Sequence, residues 1–291
     1  MASTGETLRD VADSAVDAAE PAVSVAKQVM AEIKEDHVTL MGAGVAFYGF
    51  LALIPGLIAL VSIYGLVGDP DDIQAWVEDM GGAMPEEARN LVIQQLEAIT
   101  QASGGALSIS LVISFLVALW AASSGMGHLV EAVNMAHDEA ESRNLVRRRI
   151  LSVSLTIGAI LFAIVAIAAI AVWPAVVSAI DPLSSIAWFM RVAVWPVLAV
   201  ALTVGLAVLY HVGPDRDGEW RWITWGSAIA VLLWLVASVG FQIYVANFGS
   251  YNETYGSLGA IVIMLLWLWL SATVVLVGAE INSVLEARRT T

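Results

Sequence analysis

One apolar stretch of the sequence, residues 106–136, carries four polar side chains at helical spacing. Ser124, His128, Glu131 and Asn134 are separated by four, three and three residues, which places them on one face of a helix. An imidazole on such a face titrates near neutral pH, so this polar stripe suits a cavity lining or a proton-sensitive site. The alternative is a helix end that already reaches headgroups and water, where polar side chains are ordinary.

A second polar pair, Glu280 and Asn282, lies near the end of the last apolar stretch. Ionisable groups in membrane helices cost about 2.5–3.5 kcal/mol on insertion scales and usually face protein or water. Gly278 and Ala279 precede the pair and allow close approach of another helix. We expect Glu280 either to line a cavity with the polar stripe, or to lock helix packing by pairing, for example with an arginine of residues 143–149.

Two further features bear on movement. Residues 249–257 join the last two apolar stretches, and their glycines and tyrosines suit either an outer gate or a packed hairpin at the interface. The gate candidates are Tyr251, Asn252, Glu253, Tyr255 and Gly256. Pro55, Pro174 and Pro196 interrupt three apolar stretches, and they are candidates for hinges or for static kinks.

These residues do not form a recognised catalytic pattern. The chain has no cysteine, which excludes disulfides and thiolate ligands. His128 and Glu131 have helical spacing, but no second pair completes a metal site, and neither HExxH, GxSxG nor a phosphate-binding loop occurs. The net charge of −14 argues against nucleic acid as a partner. We therefore expect no enzymatic activity, no cofactor and no metal.

Six long apolar stretches must position these side chains. The chain is 59% hydrophobic and 14% charged, whereas soluble domains have about half apolar and a quarter charged residues. Each stretch has the length that crosses a bilayer, roughly 20 residues. They cover residues 40–67, 106–136, 150–177, 186–212, 222–248 and 258–285. The sequence predicts an all-α polytopic membrane bundle of six transmembrane helices over residues 39–287.

The flanking segments predict the orientation. Residues 1–38 form a cytoplasmic amphipathic segment, residues 69–104 an extracytoplasmic amphipathic insertion, and residues 288–291 a cytoplasmic tail. With both termini inside, 11 of the 13 Lys and Arg residues lie on the cytoplasmic side, as the positive-inside rule requires. The acidic, lysine-poor composition also suits a halophilic source.

Three segments together resemble the YihY/BrkB family of membrane proteins, once mislabelled as ribonuclease BN. They are GAGVAFYGFLALIPGLIAL at 42–60, LWAASSGMGHLVEAVNMAH at 119–137, and the long run from Trp225 to Glu286. The resemblance covers residues 30–287 and is sharpest in the runs Ala46–Pro55, Tyr251–Gly259 and Gly278–Asn282. It implies a six-helix protein of the cytoplasmic membrane and no settled activity.

Three hypotheses for the function follow from these observations. The leading one is a transporter-like protein that moves or binds a lipid or small solute for envelope homeostasis, with membrane lipids as partners. The second is a non-transporting scaffold or envelope-assembly factor, and the third is the ribonuclease of the legacy name. A transport role predicts a water-accessible cavity at Glu131 or Glu280, whereas a scaffold predicts that those groups are paired and dry. Small residues such as Gly42 and Gly44 would permit a homo-oligomer.

Overall fold

The described part of the chain is entirely helices and short turns. The computed structural model describes residues 23–67, 104–180, 185–216, 220–247 and 257–290, and these contain no strand. The helices are α1 (23–35), α2 (Val38–Val67), α3 (Gly104–Met135), α4 (Leu145–Ile180), α5 (Ser185–Val212), α6 (Trp225–Asn247) and α7 (Ser257–Thr290). Each of the six predicted apolar stretches therefore forms one helix, α2 to α7. The predicted insertion at 69–104 lies almost entirely outside the described residues.

Five of these helices are long and apolar enough to cross a bilayer. The qualifying segments are Leu116–Met135, Leu145–Ala166, Val192–Val212, Trp225–Ala246 and Ile261–Arg289. In α2, the shorter segment Val38–Ala52 is apolar. Large apolar side chains of α4 and α6, such as Leu161 and Val236, are exposed on the outside of the bundle. An exposed apolar surface of this kind suits a lipid environment.

The helices pack as a ring that α7 closes. Each of α2 to α6 packs against the next helix in the chain, and α7 packs against both α6 and α2. Trp269 of α7 donates a hydrogen bond to the Thr39 carbonyl of α2 at 3.0 Å. On the other side, Trp234 of α6 donates to the Ser271 hydroxyl of α7 at 3.0 Å. The helix α7 also contacts α3 and α5, so it is the central element of the bundle.

Glycine allows a close helix crossing between α6 and α7. A Cβ on Gly226 would collide with the Gly278 carbonyl oxygen and lie 2.6 Å from Cβ of Asn282. A Cβ on Gly278 would in turn lie 2.6 Å from Cβ of Ala230. Small residues at such crossings let the two backbones approach closely, as in other membrane bundles.

The buried core lies at one end of the bundle. Its residues come from the start of α2 and from the ends of α3, α5 and α7, including Val38, Val133, Tyr210 and Leu276. The same end carries every arginine whose side chain the structure describes. These are Arg143, Arg147, Arg148, Arg149, Arg216, Arg221, Arg288 and Arg289. We call it the arginine-rich end.

The helix α1 packs onto the arginine-rich end. Its Val29 is buried and its Ile33 packs against the core, so the predicted amphipathic face is covered by the bundle. Arg288 of α7 donates hydrogen bonds to Gln28 and Ser24 of α1. The chain then reverses at His37, which has a φ of 50°, and enters α2.

Candidate functional site: the arginine-rich end

The polar stripe of α3 is largely engaged with neighbouring groups. Ser124 donates to the Trp120 carbonyl at 2.8 Å. His128 stacks on Tyr48 of α2 with a ring separation of 4.5 Å, and Glu131 lies 2.5 Å from the Arg148 guanidinium of α4. The stripe therefore joins α3 to both neighbouring helices, although His128 and Glu131 stay partly exposed.

The last residue of the stripe belongs to a network that we call the loop junction, formed by Asn134, Glu141, Ser142, Arg143 and Asp215. The Asn134 amide donates to Glu141 at 2.9 Å and accepts from the Asp215 backbone N–H at 2.7 Å. Hydrogen bonds from the hydroxyl and the backbone N–H of Ser142, together with the charge of Arg143, lower the pKa of Asp215. The junction thereby ties the loop after α3 to the loop after α5.

Arg143 satisfies the carbonyls that the end of α5 leaves without helical partners. Its guanidinium donates to the Gly213 and Pro214 oxygens at 2.9 and 2.6 Å and to the Val212 oxygen at 3.3 Å. Its Nε lies 3.0 Å from the Asp215 carboxylate. A cation at a helix C-terminus also interacts favourably with the helix dipole.

Glu280 lies apart from the polar stripe, beside the turn between α1 and α2. Its side chain is buried and hydrogen-bonded to the side chain of Asp36, and its Oε1 has no hydrogen-bond partner among the described residues. A hydrogen bond between two carboxyl groups requires a proton on one of them. Burial raises the pKa of Asp36, and the nearby Asp138 and Glu35 carboxylates raise it further, against the lowering effect of the bond to Glu280. We call Asp36 and Glu280 the acidic pair.

A cavity of about 440 Å³ opens between the ends of α3, α5 and α7 and the start of α6. Its titratable lining includes His137, His211, Arg216, Arg221 and Arg289, together with Asp138 and Glu286. Tyr210, Thr224, Asn282 and Ser283 add polar groups. We call it the basic cavity. A second cavity of about 280 Å³, the side cavity, adjoins it through Arg221, Thr224, Asn282, Glu286 and Arg289.

The charges of the basic cavity are only partly matched. Arg216 forms an ion pair with Glu286, which also accepts from the Asn282 amide at 3.0 Å. Arg289 has no ion-pair partner among the described residues. The His137 ring is buried, so its pKa is lowered. Its Nδ1 contacts the Val133 carbonyl at 2.9 Å, which leaves Nε2 without a partner in the described structure.

Of the residues predicted from the sequence, Asn282 lines the cavity, whereas the polar stripe and Glu280 lie elsewhere. The gate candidates at 251–256 lie outside the described residues. The helices α2, α4 and α5 run through Pro55, Pro174 and Pro196. The sequence reasoning missed the cavity arginines and the partner of Glu280, although Arg216, Arg221 and Arg289 already stood together on the predicted cytoplasmic side.

No metal-binding cluster of three or more His, Cys, Asp or Glu side chains occurs within the described ranges. The arrangement does offer guanidinium groups and hydroxyls around a cavity, which is the chemistry that holds an anion.

Comparison with known proteins identifies the family. The family model described as "Virulence factor BrkB" matches residues 29–291. The chain belongs to the BrkB family. This confirms the resemblance seen in the three sequence segments. Membership in the BrkB family, together with the five apolar helices, makes the chain a multi-pass membrane protein.

Several BrkB relatives carry only general names. A ribonuclease-like protein, YfkH of Bacillus subtilis, is 30% identical over 254 residues, which is 85% of this chain and 90% of the relative. A UPF0761 membrane protein of Chlorobium luteolum is 28% identical over 88% of this chain and 59% of its own length. One from Tolumonas auensis is 42% identical over 28% of this chain and 27% of its own. No solved structure matches the chain.

Proposed function

We propose that this BrkB protein lies in the cytoplasmic membrane with six spans and both termini on the cytoplasmic side. The helix α2 adds the sixth span to the five apolar helices, since its 30 residues would reach about 45 Å. The clustering of the described arginines at one end supports a cytoplasmic position for that end, because cytoplasmic loops are enriched in Lys and Arg.

We further propose a transporter-like role, in which the protein binds or moves a lipid or small solute for envelope homeostasis. The observation that carries this proposal is the basic cavity, whose 440 Å³ falls within the range of ligand sites in proteins. The cavity lies where four helix ends meet, so a small tilt of one helix would change its access. Small residues with open space beside them, such as Gly44, support a homo-oligomer as a further part of the proposal.

The test is lipid movement in liposomes that contain the purified protein. A fluorescent lipid is distributed over both leaflets, and a membrane-impermeant quencher reports exchange between them. We expect movement faster than in empty liposomes, and we expect Ser283→Trp to slow it because the new ring fills the cavity. Ser154→Trp is the matched control, since Ser154 is exposed on α4 away from the cavity. Movement no faster than in empty liposomes, or equal loss in both variants, would remove lipid movement through this cavity.

The scaffold role is the second candidate, and the polar stripe favours it. The contacts that run from Ser124 to Asn134 join α3 to α2, α4 and the loop after α5, as a packing role requires. Under the scaffold hypothesis, Glu131→Gln would alter stability, whereas a transport role at the stripe would alter lipid movement at constant stability. Measuring both quantities on this one variant separates the two roles.

We propose that the chain is not a ribonuclease, in spite of the name of its Bacillus subtilis relative. Incubation of the purified protein with labelled RNA, with and without divalent cations, tests this. RNA cleavage that co-purifies with the protein and disappears in Glu286→Gln, but not in Glu35→Gln, would overturn the proposal.

A further inference from the structure

The charge balance of the two cavities favours an anionic ligand. Arg221 and Arg289 line both the basic cavity and the side cavity. Among the described residues, the acidic lining consists of Asp138 and Glu286, and Glu286 is paired with Arg216. The described lining of the basic cavity therefore holds three guanidinium groups, those of Arg216, Arg221 and Arg289, and two carboxylates. In a protein of net charge −14, this is a local reversal of sign.

The start of α6 adds a second attraction for an anion. Thr224 and Trp225, at the N-terminus of this 23-residue helix, line the side cavity. Thr224 accepts a hydrogen bond from the Ser227 backbone N–H at 3.1 Å, which fixes the first turn. The positive end of a helix dipole, together with its first backbone N–H groups, favours phosphate-like groups.

The surroundings of the side cavity are apolar and aromatic. Ile223, Trp225 and Leu285 line it next to the arginines. Ile223, Trp222 and Trp225 are exposed, at 57%, 66% and 64% of their surface. Exposed tryptophans beside arginines are typical of the membrane interface, where the headgroups of lipids lie. A small soluble anion would not contact these apolar side chains, whereas the glycerol backbone and upper acyl chains of a lipid would pack against them.

From these three observations we infer that the two cavities form one binding site for the phosphate-bearing headgroup of an anionic membrane lipid. Arg221 and Arg289 hold the phosphate, the polar groups of the basic cavity contact the remainder of the headgroup, and Ile223 and Trp225 contact its apolar part. The inference rests on the proposed function, because it names the class of ligand that the same cavity would bind. Basic pockets between transmembrane helices on the cytoplasmic side have the chemistry for this task.

The experiment measures lipid selectivity by native mass spectrometry. The full chain, purified in mild detergent, is incubated with phosphatidylglycerol and phosphatidylcholine of identical acyl chains, and the two bound fractions are compared. We expect Arg221→Gln with Arg289→Gln to reduce the preference for phosphatidylglycerol on the order of tenfold, since each interfacial arginine attracts an anionic lipid appreciably. The matched control removes two exposed positive charges away from the cavities, with Lys27→Gln and Arg147→Gln.

Each outcome decides for or against the inference. Loss of the preference in the cavity variant alone, with retention in Arg221→Lys with Arg289→Lys, supports it. Equal loss in the control, or no loss in either variant, overturns it. Glycerol phosphate that competes as well as phosphatidylglycerol would show a phosphate site for solutes and would overturn the lipid assignment. If the double Gln variant does not fold, Arg289→Gln alone, at an exposed position in the last turn of α7, gives the same comparison.

The binding experiment and the lipid-movement experiment test the two proposals independently. Selective binding without lipid movement would support the headgroup site and contradict the transport role. Lipid movement without selective binding would support the transport role and contradict the headgroup site.

Discussion

The loop junction and the basic cavity lie at the same end of the bundle, and arginine side chains make the main polar contacts of one and line the other. In the loop junction, Arg143 makes hydrogen bonds to three carbonyl groups and an ion pair with Asp215. In the basic cavity, Arg289 has no ion-pair partner among the described residues. The two groups contain similar residue types, with arginines beside carboxylates and polar side chains. The residue types alone therefore do not show which group is paired and which is open.

The difference indicates that pairing, more than position, separates the polar groups with a packing role from those proposed to bind a ligand. A partly buried charge is retained at low cost when hydrogen bonds satisfy it, as in the loop junction. Groups that retain bonding capacity around open space can still hold a ligand. The acidic pair is a third case, because Glu280 is buried and keeps one oxygen without a described partner.

The largest effect is expected from Arg143→Ala, which removes the hydrogen bonds and the ion pair of the loop junction. The substitution leaves the carbonyls at the end of α5 without their donor, so the free energy of unfolding should fall by about 3 kcal/mol, since hydrogen bonds to charged groups are worth more than neutral ones. Thermal or chemical unfolding in detergent measures it. Arg147→Ala, at an exposed position nearby, should change stability little. Similar stabilities for the two variants would show that the junction is not structural.

An intermediate effect is expected from Gly226→Ala, which tests the crossing of α6 and α7 beside the two cavities. The new methyl group would meet the Gly278 carbonyl and Asn282, so α6 and α7 must separate. We expect a loss of about 2 kcal/mol, typical of overpacking, together with weaker retention of phosphatidylglycerol. Gly240→Ala on the same helix is the matched control, because no other part of the described structure lies within 4 Å of its Cβ position beyond the adjoining turns of its own helix. Helix propensity should make that control neutral or slightly stabilising, and equal losses in the two variants would contradict the close crossing.

The smallest effect is expected from Asp36→Asn, and it depends on pH. The pKa of Asp36 is raised in the folded protein, so the folded state holds the proton more tightly than the unfolded state. Its contribution to stability is fully present below its ordinary pKa of 3.8 and is lost as the pH rises through the folded value. Asp36→Asn should therefore raise the melting temperature at pH 8 more than at pH 5.

The size of this effect should stay below about 1 kcal/mol, because solvent screens a partly exposed carboxylate. The groups that face Asp36 are Glu280 of α7, Asp138 after α3, and its neighbours Glu35 and His37. Glu35→Gln, at an exposed position of the same cluster, is the control and should show a smaller pH dependence. A gain that is the same at both pH values would contradict a raised pKa at Asp36.

The helices could be predicted from the sequence because the bilayer imposes a length. Six apolar stretches predicted six helices, and their ends agree with the structure within about five residues. The agreement follows because an apolar stretch must end, and polar residues begin, where the hydrocarbon core ends. The apolar face of α1 was also predicted, as Val29 and Ile33 lie on it.

The partners of the polar groups could not be predicted in the same way. Helical spacing places Ser124, His128 and Glu131 on one face, but the choice of Arg148 as the partner of Glu131 depends on how α4 is rotated. Asp36 and Glu280 are more than 240 residues apart in the sequence, so no local pattern predicted their contact. Only the ring closure by α7 brings them together.

The closure of the ring also sets an order of events during synthesis. Trp269 and Thr39, which join α7 to α2, are 230 residues apart, so α2, the first of the apolar helices to be synthesised, cannot bury this face until α7 has been made. Until then, Gly42 and the backbone around it lie open to lipid or to another chain. Chaperones and insertases of the membrane would therefore meet an open intermediate, and a ribosome that stalls before α7 would leave the arginine-rich end unassembled.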